Sequence, residues 1–251
     1  MTAPVPSRVG GRIADADDVG RALTAVRSLS SGRANTAALD RPVSTASALA
    51  DTQMDPVLPV HDGLRGLLPW PGLRRGAVVS VVGSAMLLLS VLGATSAQGS
   101  WCAVVGMPQL GMAAAAEAGC ALDRLALIPQ PGPQWPDIVG ALIDGFDAVV
   151  VCPPAPPSGR TAAALAARAR QRGSVLLPYT DAWPGADLTL QVTDRQWHGL
   201  GWGYGRLRYA DLTVTSRGRG VAGRSRDTVV RLPLSAGSAP SPAERRHLRA
   251  V

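Results

Sequence analysis

Between Gly76 and Ala116 the chain carries no charged residue, and that run limits what it can fold into. An uncharged run this long either crosses a bilayer or lies in a protein core, since apolar groups gain free energy only when removed from water. Ala77–Thr95 alone is long enough to span a membrane. The pattern within the run predicts otherwise: a β-branched strand at Ala77–Val82, a glycine turn at Gly83, a Leu-rich helix over Ala85–Ala97 and a second strand at Trp101–Gly106. A buried β-α-β unit requires that alternation, so a core is expected and a membrane location is not.

The same alternation continues downstream. A helix is expected near Gly111–Ala118, a short strand at Leu125–Ile128 and a helix at Asp137–Leu142. Ala148–Val151 follows as the most apolar strand, then a proline-rich break, an Ala/Arg helix over Thr161–Gln171 and a strand at Ser174–Leu177. Short apolar strands alternating with helices predict an α/β fold with a mostly parallel sheet flanked by helices. From Asp187 the helices stop. Leu188–Val192, Gly205–Thr215 and Asp227–Leu232 read as strands joined by glycine-rich turns, an antiparallel C-terminal extension.

Three parts follow: an N-terminal helical appendage and linker (1–56), a core (57–234) and a basic tail (235–251). In the appendage Asp15, Asp17 and Asp18 precede Val19, Leu23 and Val26 at helical spacing, and Gly32 ends the run. Met1–Asp18 lacks the apolar stretch of a secretory signal, so a cytoplasmic protein is expected. The tail ends in Arg245, Arg246 and Arg249.

Every basic residue is Arg, because the Lys+Arg total of 25 contains no Lys. GC-rich coding produces such a bias, but the chemical consequence stands: no P-loop lysine, Schiff base or Ser–Lys dyad can be built. Cys102, Cys120 and Cys152 are widely spaced in apolar runs, which predicts buried free thiols rather than a disulfide framework or a metal site. A net charge of +7 favours an acidic partner.

Several segments, in order, resemble the RecA family. Leu73–Gly83 looks like its opening strand, Trp101–Val105 its second strand, Ala118–Leu125 its helix-to-strand passage, Asp147–Val151 its Walker B strand and Val214–Arg219 its late strand and basic turn. The resemblance spans residues 58–233 and implies a RecA-like core. The ATP chemistry of that family is not matched. A P-loop needs G-x-x-x-x-G-K-[ST], whose backbone N–H groups cradle phosphate while Lys neutralises it and the hydroxyl holds Mg²⁺. Here Gly83 is followed by a run in which Leu88 stands for the second Gly and Leu89 for Lys, before Ser90. The stretch also looks several residues shorter than the family's. Where Walker B ends in a metal-organising Asp, this strand ends in Cys152; where a glutamate would orient water, the chain offers Met107-Pro108-Gln109. Neither hydrolysis nor a bound nucleotide cofactor is expected.

Residues 195–231 hold Arg195, Arg206, Arg208, Arg217, Arg219, Arg224, Arg226 and Arg231, interleaved with Trp197, Trp202, Tyr204 and Tyr209. Arg with aromatic platforms is the composition of single-strand binding. It is equally that of a solvated hairpin with Trp over a sheet edge, so DNA or partner contact stays one of two readings. Gly199–Gly205 resembles a dinucleotide fingerprint but has no helix after it. His198, placed in a loop beside Trp197, has no nucleophile near it in sequence.

A RecA-like core without its ATP site, an N-terminal helical appendage and Lys-free, Arg-rich composition resemble the actinobacterial ImuA-type mutasome accessory proteins. That resemblance implies a non-catalytic, damage-induced subunit supporting translesion synthesis and induced mutagenesis. Its partner would be an ImuB-type inactive Y-family polymerase homologue and, through it, an error-prone C-family DNA polymerase and the sliding clamp, with RecA, a second copy and DNA as further candidates. Two alternatives are a SulA-like cell-division inhibitor and a RecA-like nucleotide-binding recombination mediator.

Overall fold

Five short strands build the centre: β3 (Val79–Val82), β4 (Cys102–Val105), β5 (Leu125–Ile128), β6 (Ala148–Val151) and β7 (Val175–Pro178). Every residue of β4, β6 and β7 is buried, as parallel strands covered on both faces require. The computed structural model describes residues 57–200, 205–219 and 223–232, with backbone alone at 200 and 205–208. The expected appendage and linker, Trp202 and Tyr204, the side chains of Arg206 and Arg208, and the tail with Arg245, Arg246 and Arg249 lie outside the described residues.

One four-stranded parallel sheet has the order β5-β4-β6-β7, and a second, mixed sheet sets β10 (Arg226–Leu232), β9 (Gly205–Gly218) and β8 (Leu188–Leu200) in that order beside β3. A parallel bridge between Val78 and Leu176 joins them, reinforced by the Leu176 N–H donating to Ala77 O at 3.0 Å. β3 therefore lies near the middle. A small antiparallel pair, β1 (Val57–Leu58) and β2 (Leu73–Arg74), brackets the short helix α1 (Asp62–Arg65).

Alternate residues of the central strands feed two cores. Val79, Val81, Cys102, Val104, Ala148 and Val150 pack with α2 (Ala85–Ala97) and with Leu58–Leu73. Val78, Ala103, Val105, Val149, Val151 and Leu176 pack with α4 (Trp135–Ile143) and α5 (Gly159–Arg172). Helix α5 buries Ala162, Leu165, Ala166 and Ala169, a single stripe at helical spacing. Ser158 caps its start by accepting from the Thr161 N–H, and Gly173, at φ +68°, ends it in the left-handed region. Helix α4 begins at Trp135, before the expected Asp137, because Pro136 falls in the first turn, where a missing N–H costs nothing. Helix α3 (Met112–Glu117) buries Ala115 alone. No helix among the described residues is long and apolar enough to cross a membrane.

β8 (Leu188–Leu200), β9 (Gly205–Gly218) and β10 (Arg226–Leu232) complete the molecule. β8 differs from expectation twice. It is also the last parallel strand, in register with β3 from Val79↔Leu188 to Val82↔Gln191, as well as the first of the antiparallel ladder. It does not stop at Val192 but runs to Leu200, so Trp197 and His198 sit in a strand and not in a loop. Pairing of Gln196, Trp197 and His198 with Asp211, Ala210 and Tyr209 holds them there, and the His198 ring stacks on Tyr209 at 4.7 Å. No helix makes the parallel crossover from β7 to β8. Residues 179–187 do so instead, anchored by buried Trp183 edge-on to Trp135 at 6.3 Å and by Asp187, whose carboxylate accepts from the Val78 N–H at 2.8 Å.

Candidate functional site at the carboxyl edge of the sheet

In open α/β sheets, ligands bind where the parallel strands end and the loops begin. Here β3 ends at Val82, and only Gly83 and Ser84 separate it from α2. Gly83 has φ +87°, which a side chain would strain. Ser84 caps the helix, its hydroxyl accepting from the Leu87 N–H at 3.2 Å while its carbonyl accepts from the Leu88 N–H at 3.1 Å. A turn of two residues cannot wrap a phosphate.

The helix that follows is enclosed on all sides. Leu87, Leu88 and Leu89 are 0%, 1% and 2% exposed, and the Ser90 hydroxyl donates to Met86 O at 2.9 Å. On one flank the Cys120 thiol points at Leu89 O at 3.4 Å, and on another Thr95 donates to Pro59 O at 2.8 Å. Gly93 allows the closest approach: a Cβ there would stand 2.2 Å from Ala118 O. Leu88 and Leu89, standing where the RecA pattern has Gly and Lys, are thus core residues facing no solvent.

The tips of β4 and β6 are closed against each other. The Cys152 N–H donates to Val105 O at 2.9 Å, and Gly106, at φ +81°, lets Cys152 O sit where a Cβ would be 2.1 Å away. Cys152 is half-buried, and burial pushes its thiol up. Beside it Tyr179 extends β7, its N–H donating to Val151 O at 2.8 Å. Its phenol is pushed up, first by burial and then by Cys152, while Arg195 opposes the shift. Met107 is buried, leaving Gln109 exposed after β4. Among the described residues no group of three His, Cys, Asp or Glu could hold a metal ion.

Arg195 brings β8 to this edge. Its Nη2 donates to Gly83 O at 2.7 Å, and its guanidinium lies 5.8 Å from the Trp197 ring. A bulge explains the position. Pairing skips from Val192↔Val214 to Asp194↔Thr213, so the extra residue, Thr193, flips every later side chain to the other face. Without it Asp194 and Gln196 would face Gly83. Sequence reasoning counted Arg195 but missed its role; the signal was the break in the Leu188-x-Leu190-x-Val192 alternation.

The eight arginines do not form one patch. Arg217 registers with Thr189 and Arg226 with Ser216, at the end where the parallel strands begin. The Arg219 N–H donates to Asp187 O at 3.1 Å in that region. Arg224 precedes β10 there and is exposed. Along β9, Arg206 and Arg217 are about 36 Å apart at ~3.3 Å per residue. Arg231 is committed elsewhere, gripping buried Asp211 at 2.8 and 3.1 Å. His198 Nε2 lies 3.1 Å from the same carboxylate, which gives this histidine a structural post.

The family model for the MT3502 N-terminal domain matches residues 66–185. The uncharacterized protein Rv3395c of Mycobacterium tuberculosis (strain ATCC 25618 / H37Rv) is 36% identical over 165 residues, covering 65% of this chain and 74% of that protein. The chain belongs to one family with this mycobacterial protein. The stretch matched by the MT3502 model runs from the turn after α1 into the 179–187 crossover, and so contains Gly83–Ser90, Cys152 and Tyr179. It ends before Arg195 and Trp197, which belong to the part of the chain beyond that model.

Proposed function

We propose that this chain is a non-catalytic, RecA-like accessory subunit of a DNA-damage-induced mutasome, acting by binding an ImuB-type inactive Y-family polymerase homologue. The observation that carries the reading is the two-residue join between β3 and α2, with Leu88 and Leu89 locked into the core behind it. A triphosphate carries several negative charges and needs a cradle of free N–H groups, a counterion and a metal-organising carboxylate. At this edge the Ser84 cap takes the Leu87 N–H, a leucine takes the lysine position and Cys152 follows β6 where the metal-organising carboxylate would stand. The fold then works by contact with macromolecules in the cytoplasm at the nucleoid: the ImuB-type homologue, through it the error-prone polymerase and the sliding clamp, and DNA.

Two measurements on one preparation test this. Isothermal titration of the pure chain with Mg-ATP is expected to give no heat of binding, and turnover none above a buffer blank. Affinity purification from DNA-damaged cells is expected to recover the ImuB-type homologue. Magnesium-dependent ATP capture overturns the non-catalytic reading, and recovery of an FtsZ-like protein instead replaces it with division control.

A further inference from the structure

We infer that the outer half of the β8–β9 ribbon binds single-stranded nucleic acid, with a base on Trp197 and a phosphate on Arg195. Beyond Gln191 strand β8 has lost β3 as a neighbour, and residues 193–197 are all exposed. Trp197 is 44% exposed, large for an indole. The registers Arg195↔Leu212 and Trp197↔Ala210 put both side chains on one face, while Asp194↔Thr213 puts the adjacent carboxylate on the other. The Thr193 bulge thus pairs a cation with an aromatic plane and turns the one nearby acid away.

The charge of the segment points the same way. From Arg195 to Tyr209 there is no Asp or Glu. The next acid, Asp211, is buried and held by Arg231 and His198. An exposed indole face with a guanidinium 5.8 Å from it suits an unpaired base followed by its phosphate. In a duplex the base faces are already stacked, so the strand must be single. A protein partner would be expected to meet the indole with an apolar pocket and the arginine with a carboxylate; the long polar, acid-free ribbon favours the polyanion.

The test uses the full chain and a labelled oligothymidine of twenty nucleotides, followed by anisotropy across a salt series. Trp197→Ala is expected to weaken binding about 5- to 150-fold, the usual worth of one stacked base. Arg195→Ala should also weaken it and lower the salt slope by about 0.7, one phosphate contact. Arg160→Ala, exposed on α5 far along the chain, serves as the unchanged control. The inference is overturned if the wild type does not bind the oligomer, binds duplex as tightly, or keeps its affinity in both ribbon variants. It is also overturned if Trp197→Ala abolishes capture of a protein partner while leaving oligomer affinity intact. No ATP or partner protein is present in the binding assay, so its failure leaves the accessory-subunit reading standing, and the reverse holds too.

Discussion

Replacing Leu89 by Lys puts an amine where the RecA pattern has its phosphate-binding lysine, and it separates a mutated nucleotide site from one that no longer exists. Leu89 is 2% exposed in the core beneath α2, with the Cys120 thiol against its carbonyl. Removing its side chain from that core forfeits about 2 kcal/mol of transfer free energy. A lysine there must be neutral at pH 7, and giving up its proton more than three units below its ordinary pKa costs about 4 to 5 kcal/mol. The total, about 6 to 7 kcal/mol, corresponds to a fall in Tm on the order of 15 °C for a chain of this size. Because the folded-state pKa of that lysine would lie below its unfolded value, the unfolded chain binds more protons between the two. Stability of the variant therefore rises with pH, and its deficit against wild type narrows from pH 7 to pH 9.5. Leu89→Met, close in volume, should cost less than about 1.5 kcal/mol. Scanning calorimetry with and without Mg-ATP measures all of this. A Leu89→Lys protein that melts with wild type and gains ATP binding would refute the packing argument, because it would mean the helix start still faces a phosphate cradle.

Gly93→Ala should destabilise the chain by about 2 kcal/mol or more, since the new Cβ meets Ala118 O at 2.2 Å and two helices must part; urea unfolding at pH 7 measures it. Asp144 is held below the usual carboxylate range, first by the Arg168 hydrogen bond, with Arg172 assisting. A depressed folded-state pKa gives stability that is present above the unfolded value and lost as pH falls through the folded one. The roughly 1 kcal/mol separating wild type from Asp144→Asn at pH 7 should accordingly shrink as the pH is lowered through the acid range. Burial pushes the Cys102 thiol up to about 12, and Cys120 and Cys152 are raised as well. A disulfide-exchange reagent at pH 8 should react slowly with native protein and first at half-buried Cys152, a site that labelling and mass spectrometry will identify.

The central α/β unit was legible because its strands are buried on both faces, and such strands read as continuous apolar runs. Ala148–Val151 and Ser174–Leu177 need no context to be recognised, and the Ala/Arg run of Thr161–Gln171 reads as a helix, though the Ser158 cap starts it at Gly159. Long-range pairing is different. Thr193 looks like any strand residue, yet its bulge decides whether Asp194 or Arg195 meets Gly83, and the end of the Leu188-x-Leu190-x-Val192 alternation is its one local trace. His198 reads as a loop residue beside a glycine-rich turn; the ring of Tyr209 and the carboxylate of Asp211, eleven and thirteen residues away, make it a strand residue. The arginines fail for a related reason. Closeness in sequence suggests one basic patch, but a 14-residue strand is a rod, and Arg206 and Arg217 sit at opposite ends of it.

The departures from the RecA pattern at the carboxyl edge are physically coupled, and their coupling explains why the edge is stable as it stands. A join of two residues removes the loop residues that would wrap a phosphate. Once those are gone, a lysine at position 89 has no anion to neutralise it and would be a buried charge, so an apolar residue is favoured by several kcal/mol. An Asp at position 152 would likewise face no metal; Cys152 tolerates half-burial beside Tyr179 at far lower cost. Each replacement stabilises the fold only in the presence of the others. Introducing any one of the RecA-pattern residues alone is destabilising, so building a nucleotide site here requires inserting a loop and exchanging core side chains together.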